Sequence, residues 1–370
     1  MRVASFNVEN LFDRARALNQ QSWAQGKPIL TKHGRINALL NKPLYSAADK
    51  QKIKDLLLEF GLEKRDDGGE WVILRQNRGK LLKRPRAGGL EIVANGRDDW
   101  IGWVELKTEP VNELGMEHTA MVMRDVNADV MGVVEAEARI ALDKFSAQLL
   151  EKVNGVPYQH VMVIDGNDDR GIDVGVMTRA GYEITSICSH VDDEDEVGTV
   201  FSRDCPEYLI TTPTGTRLVI LVNHLKSKGF GSTDDSNKKR KRQAKKVKEI
   251  YEQLIASGEQ NIVVLGDFND TPNSAQLRPL LKQTDLKDIS THPSFTDDGR
   301  PGTFKNGTKN EKLDYLLLSP ALFSNVIGGG VFRTGVWGGK NGTLWPIYNT
   351  MTRPIHAASD HAAIYADINI

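Results

Sequence analysis

Eight short apolar runs constrain this chain more than any other feature. They are RVASFNV (2–8), DVMGVVE (129–135), YQHVMVI (158–164), DVGVMTR (173–179), RLVILVNHL (217–225), NIVVLGD (261–267), KLDYLLLS (312–319) and HAAIYADI (361–368). Several are almost continuously Val, Ile or Leu instead of alternating with polar residues, as in strands buried on both faces. Helical patterns fall between them, near 113–127, 137–153, 237–256 and 274–282. Strands alternating with helices predict a layered α/β fold.

Residues 14–112 break that rhythm. They hold helical stretches near 32–41 and 46–60, then a possible hairpin set: EWVILRQ, KLLKR, GLEIVAN and WIGWVELK. Gly pairs at 68–69 and 88–89 mark turns there. Near the C-terminus, the glycine-rich segment 327–343 reads as a surface loop.

The ends of the runs carry the chemistry. In NIVVLGDFND the strand delivers Asp267 and Asn269, two apart and so on one side of extended backbone. FNVEN does the same with Asn7 and Glu9, and DVMGVVE closes on Glu135. The NHLKSKG stretch ends its strand on His224, followed by Lys226 and Lys228; LDYLLLS carries Asp314, and AASDHAAI carries Asp360 and His361. Each residue alone reads most simply as a turn residue or a satisfied polar group. A Gly-Asp-x-Asn, a Ser-Asp-His and an Asn-x-Glu at successive strand ends are a rarer coincidence, and no serine or cysteine nucleophile is needed to complete them.

In kind and in order, these motifs resemble the endonuclease/exonuclease/phosphatase superfamily. The resemblance covers residues 2–13 and 113–370. It implies a four-layer α/β sandwich of two packed, mainly antiparallel β-sheets flanked by helices. Residues 1–370 would form a single domain, with 14–112 as an inserted subdomain beside the active-site face, where relatives have a shorter connection.

The resemblance also implies an activity: divalent-metal-dependent hydrolysis of a phosphate ester in one step, by an activated water. Such a reaction needs a nucleophilic water, a neutralised phosphoryl group, a stabilised leaving oxygen and an in-line arrangement. Glu135 and Glu9 would be metal ligands, Glu9 directly or through water, with Asp360 contributing; many relatives have Asp where this chain has Glu9. Hard carboxylates suit Mg²⁺ or Mn²⁺. Asn7 would orient a neighbouring acid. Asp267 would orient and deprotonate the water, and Asn269 would hold the phosphate or the developing charge. His361 would touch the scissile phosphate, with Asp314 fixing its tautomer and favouring its charged form. His224 would sit near the leaving oxygen as general acid, as in DNase-like and phosphatase-like members. Arg170 resembles a family arginine that contacts phosphate, or else pairs with Asp168 or Asp169. Glu137 reads as part of the next helix's first turn.

Substrate is less constrained. The formal net charge is −1, so any pull toward a polyanion must be local. KKRKRQAKKVK (238–248) puts eight basic residues in eleven, which reads equally as a solvated helix face or as a phosphate-binding run. Lys80, Lys83, Arg84 and Arg86 lie near Trp71, Trp100 and Trp103 in sequence; this suits a single-strand groove, or a small hairpin unit with its own core. The expectation is a nuclease, with DNA favoured. A phosphomonoesterase acting on a small metabolite, nucleotide or inositol phosphate is the alternative, and a non-catalytic binding module the third reading. No apolar run approaches a membrane span, so no membrane partner is expected. Cys188 and Cys205 cannot build a disulfide framework and read as reduced thiols, and the strand-like start without a signal core suggests a cytoplasmic protein.

Overall fold

The computed structural model describes residues 1–11, 16–18, 23–108, 112–168, 171–228 and 232–370. The chain divides into two compact units, Met1–Phe12 with Val111–Ile370, and Asp13–Pro110.

The larger unit is built on two sheets. The seven-stranded sheet runs in the order Phe295–Thr296, Val326–Phe332, Ala363–Ile368, Arg2–Leu11, Val130–Ala136, Asp173–Thr178, His160–Ile164. The six-stranded sheet runs Glu183–Cys188, Glu207–Thr211, Arg217–His224, Ile262–Asp267, Asp314–Leu318, Lys287–Asp288. Most neighbouring strands are antiparallel. The parallel pairs are Arg2–Leu11 with Val130–Ala136, Phe295–Thr296 with Val326–Phe332, and Arg217–His224 with Ile262–Asp267.

Side chains alternate along each strand, so each sheet has two apolar faces. Val3, Val130, Val174, Ile220, Val263 and Leu316 fill the space between the sheets. Outside the seven-stranded sheet, Phe6, Met131 and Val133 pack with Val122 and Met123 of the helix Glu113–Val126 and with Leu142 and Phe145 of Arg139–Phe145. Outside the six-stranded sheet, Leu221, Ile262 and Val264 pack with Val247, Ile250 and Tyr251 of the helix Thr233–Ala256. The layers are therefore helix, sheet, sheet, helix. Gly132 leaves room for the opposite sheet: a Cβ there would lie 2.2 Å from Leu265 Cδ1.

All eight apolar runs contain strands of these two sheets. The glycine-rich segment needs correction, because Val326–Phe332 is a strand of the seven-stranded sheet and not a surface loop. Its glycines are spatial: a Cβ on Gly329 would lie 2.9 Å from the Tyr365 carbonyl, and one on Gly330 3.1 Å from the Tyr365 hydroxyl.

The smaller unit has its own core. Helices Trp23–Leu40 and Ala47–Glu59 enclose Ile36, Ile53 and Leu57 with Leu74, Trp100 and Val104 of its strands. Its strands Asp67–Gly68, Val72–Gly79 and Trp100–Leu106 form one sheet; Leu82–Lys83 pairs with Glu91–Ile92. Trp100 is fully buried, and its Nε1 donates to the Tyr45 hydroxyl at 3.0 Å. Trp71 packs half-buried against this core, while Trp103 is exposed. Arg84 donates to the carbonyls of Leu62 and Glu63 and pairs with Asp66. Trp100 and Arg84 thus have structural employment. Among the described residues no helix is long and apolar enough to cross a membrane.

Candidate active site

The between-sheet face runs out at the strand ends, and there it changes from apolar to polar. Val222 and Leu265 are its last apolar residues on their strands; two positions on come His224 and Asp267. On the antiparallel neighbour, Asp314 precedes Leu316 and Leu318 of the same face. His224 pairs in register with Asp267, and Asp267 with Asp314. Three adjacent strands thus set an imidazole and two carboxylates in one row, all buried.

Gly266 makes the row possible. Its φ is +129°, and a Cβ there would lie 1.9 Å from the Asn223 carbonyl oxygen. Only glycine fits, which explains why a Gly precedes the Asp in the sequence motif. Glu9, Glu135 and Asn269 also have positive φ, at 37°, 66° and 55°. Left-handed backbone at non-glycine residues costs of order 1–3 kcal/mol each and gathers at functional sites.

Nine of the sequence-predicted residues join in one chain of contacts no longer than 4.0 Å. The Asn7 side-chain oxygen accepts from the Glu9 amide at 3.2 Å. The Glu9 carboxylate accepts from the Asp360 amide at 2.8 Å. Asp360 lies 3.7 Å from His361 Nε2, and His361 Nδ1 lies 2.8 Å from Asp314 Oδ2. His361 Nε2 is 4.0 Å from Asp267 Oδ2, which is also 3.6 Å from His224 Nε2. His224 Nε2 in turn lies 3.7 Å from Glu135 Oε1. The Asn269 side-chain amide donates to Asp267 Oδ2 at 3.0 Å and to the Leu225 carbonyl at 3.1 Å.

Three sequence-predicted residues remain, Arg170, Lys226 and Lys228. Arg170 lies outside the described residues. The Lys228 ammonium pairs with Asp270 at 2.9 Å. Lys226 is held by its backbone, the amide donating to Gln243 Oε1 at 2.7 Å and the carbonyl accepting from Arg240.

Sequence reading missed Thr303. Its hydroxyl donates to Asp314 Oδ2 at 2.6 Å and accepts from the Asp314 amide at 3.0 Å. Phe304 packs its ring 4.7 Å from the His361 ring. Ser359, already in the Ser-Asp-His motif, accepts from the His361 amide at 3.0 Å. Thr303 lies eleven residues before Asp314, a separation with no periodic signature, so only the tertiary structure reveals it.

Burial sets the electrostatics. It pushes the Asp267 carboxyl up to about 7; His361 opposes the shift, and Asp314 adds to it. Burial likewise pushes Asp360 up to about 7, against His361 and with the help of Glu9 and Glu135. Burial alone would lower the His361 imidazole, but Asp314, then Asp267 and Asp360, raise it well above its ordinary value. The donor atoms of Asp267, Asp314 and His361 lie within 4.8 Å of one another. That group is already knit by the His361–Asp314 pair, so it reads better as a proton-handling unit than as a metal cage. Glu9 and Glu135 are instead carboxyl groups whose field reaches Asp360, with His361 the cation that counters Asp360. An all-oxygen set with excess negative charge fits a hard divalent cation.

Residues 91–326 match the model of the family described as Endonuclease/Exonuclease/phosphatase. A comparison with curated proteins finds no match. Among solved structures, a mannosyl-6-phosphatase of Bacteroides thetaiotaomicron superposes with a TM-score of 0.52 at 15% identity, covering 70% of this chain and 92% of that one. An endonuclease/exonuclease/phosphatase family protein of the same species gives 0.50 at 16% identity, covering 68% and 86%. The human nocturnin catalytic domain, with bound sulfate, gives 0.50 at 14% identity, covering 70% and 88%. At such identities the likeness is one of fold.

Proposed function

The chain belongs to the endonuclease/exonuclease/phosphatase family of metal-dependent phosphoester hydrolases, and from that premise we propose that it is a nuclease hydrolysing phosphodiesters, with DNA as its leading substrate. The observation that carries this reading is one buried carboxylate flanked by two imidazoles. Asp267 Oδ2 lies 3.6 Å from His224 Nε2 and 4.0 Å from His361 Nε2. A phosphate ester has two jobs for imidazoles, one at a phosphoryl oxygen and one at the oxygen that leaves, which in the proposed diester is a sugar oxygen.

The residues divide the proton work. A carboxyl group pushed up to about 7 is a competent base at neutral pH, so Asp267 takes the proton of the attacking water. Asn269 fixes that carboxylate and stands ready for the developing charge. His361, kept charged by Asp314, donates to a non-bridging phosphoryl oxygen. His224 delivers a proton to the leaving oxygen as its bond to phosphorus breaks. Glu9, Glu135 and Asp360 would hold Mg²⁺ or Mn²⁺, which when bound offsets phosphoryl charge and acts as a Lewis acid. The same reading treats residues 14–112 as a subdomain inserted into one catalytic domain.

A second reading, hydrolysis of a small phosphomonoester, is favoured by the basic helix. Much of its charge is offset within the chain. Arg240 is buried and pairs with Asp270 at 3.0 Å; Arg242 pairs with Asp195, and Lys246 lies 3.5 Å from Asp193. Lys238, Lys245 and Lys248 face Asp234, Glu249 and Glu252 one helical turn away. One series separates the readings: purified protein with Mg²⁺ or Mn²⁺ against duplex DNA, circular single-stranded DNA, RNA and a phosphomonoester panel, with Asp267→Ala as the contamination control. Cleavage of nucleic acid that the variant loses supports the nuclease. Phosphate release with nucleic acid intact supports the monoesterase.

A further inference from the structure

A second cluster of ligand-type side chains lies on the other face of the six-stranded sheet. Cys188 closes the edge strand Glu183–Cys188 and pairs in register with Glu207 of the next strand. Glu207 pairs in turn with Leu221, which belongs to the helix-side core, whereas Tyr208 and Ile210 point between the sheets. Cys188 and Glu207 therefore face the helix layer. His224 and Asp267 follow the opposite, between-sheet face. His190, two residues past Cys188, comes back over the pair: Cys188 Sγ, a His190 ring nitrogen and a Glu207 carboxylate oxygen lie within 4.8 Å of one another.

The geometry points to a transition-metal site at Cys188, His190 and Glu207, with Zn²⁺ as the fitting ion. A sulfur, an imidazole nitrogen and a carboxylate oxygen are the mixed, borderline-soft donors that Zn²⁺ takes, unlike the all-oxygen set at Glu9, Glu135 and Asp360. Three protein ligands leave a fourth position for water.

The surroundings are those of a built site. Asp193 Oδ2 lies 3.0 Å from His190 Nδ1, and Glu207 Oε1 lies 2.8 Å from Nε2. With a carboxylate at each ring nitrogen, both nitrogens donate in the metal-free site; Asp193 on Nδ1–H holds the ring so that Nε2, once it gives up its proton, presents its lone pair to the site. The His190 amide is itself held by Asp204 Oδ1 at 2.7 Å. The donor atoms thus stand together beside a further carboxylate, Asp193, whose charge adds to that of Glu207 in attracting a dication. Binding would release the thiol proton and the Nε2 proton of His190 to solvent, leaving thiolate and neutral imidazole as ligands. The bound ion would join the edge strand, the turn after it and the neighbouring strand at one point.

Cobalt reads the site without reference to activity. The full chain, freed of metal by chelation, is titrated with Co²⁺ and followed for the cobalt–thiolate charge-transfer absorption. The expected result is a band that saturates at one equivalent, is displaced by Zn²⁺, and vanishes in Cys188→Ser and His190→Ala. Cys205 is fully buried, so Cys205→Ser should keep the band, and the carboxylate site cannot produce one. Asp193→Asn should weaken binding about 10- to 100-fold, as loss of a supporting carboxylate does. No thiolate band from folded protein, or a band that survives Cys188→Ser, overturns the assignment. Cys188 is exposed, so that variant remains decisive even if His190→Ala fails to fold.

Discussion

Asp314→Asn tests the proton-handling unit by removing one charge and little else. Asp314 Oδ2 receives both hydrogen bonds that matter, from the Thr303 hydroxyl at 2.6 Å and from His361 Nδ1 at 2.8 Å. An asparagine can place its carbonyl oxygen there and accept both, so shape and tautomer survive while the negative charge goes. A hydrogen bond to a charged partner is worth roughly 1.5–3 kcal/mol. If His361 needs that support in the transition state, kcat should fall between about 10- and 150-fold, at about 1.4 kcal/mol per decade.

The pH profile gives the sharper reading. Asp314 is the strongest influence raising His361, so its neutralisation lets burial pull the imidazole down. His361 must be protonated to act, and the alkaline limb should move to lower pH. Asp314 also raises Asp267, which must be deprotonated to act, so the acid limb should move to lower pH as well. Both limbs belong to the coupled cluster and shift together. Steady-state kinetics from pH 5 to 9, at saturating Mg²⁺ or Mn²⁺, measures this, with thermal melting as the check on folding. A kcat within threefold of the parent, or a profile that moves toward alkaline pH, refutes the role given to the pair.

Other perturbations probe different parts. Asp267→Ala and His361→Ala should each lower turnover by at least about 10³-fold, as loss of a general base or of a charged donor does, with the fold retained by circular dichroism. The chelated protein should lose stability as pH rises from about 4 through about 7. Asp267 and Asp360 are raised above their unfolded values, so the folded state holds protons the unfolded chain has released. Added Mg²⁺ or Mn²⁺ should lessen that loss in denaturant titrations; a flat profile without metal would contradict the burial argument. Arg240→Ala should cost about 3–5 kcal/mol in chemical denaturation, because it strips the buried Asp270 of a partner. Replacing Lys238, Lys245 and Lys248 by glutamine should leave the salt slope of any DNA binding nearly unchanged, since each already faces an acid on its own helix.

The strands that line the core were legible because burial on both faces forces a continuous apolar run. Glu183–Cys188 and Glu207–Thr211 were not: the first is an exposed edge strand, and the second alternates buried Tyr208 and Ile210 with half-buried neighbours. Val326–Phe332 was hidden by its glycines, whose reason lies in Tyr365 and Ile289 on other elements. The cluster of candidate residues at the strand ends was legible as a pattern. A strand tip must present its polar pair at spacing two, and that pattern survives in one dimension. The left-handed turns at Glu9 and Glu135 leave no such trace, because glutamate is not a residue that usually adopts them, whereas Asn269 is of a type that does. Thr303 is silent for the same kind of reason, its hydrogen bond to Asp314 being wholly tertiary.

The basic helix shows what a count of charges leaves undetermined. A run of eight basic residues in eleven looks like a polyanion surface only while its counterions are unknown. Half of the answer was on the helix itself, at spacing four, where Lys238, Lys245 and Lys248 meet acids. The rest required the fold, which brings Asp270 to Arg240, Asp195 to Arg242 and Asp193 to Lys246. What a substrate would feel from such a helix is the residual field after internal pairing, screened further by salt within about 10 Å. The strand tips are different, because there burial moves Asp267 and Asp360, and neighbouring carboxylates move His361, away from their ordinary proton affinities. On the proposed reading, chemistry is therefore specified at the tips, where charges are few and desolvated. The choice among phosphate esters must be made by groups that approach those tips, and a basic run that answers mainly to its own chain is a weak guide to it.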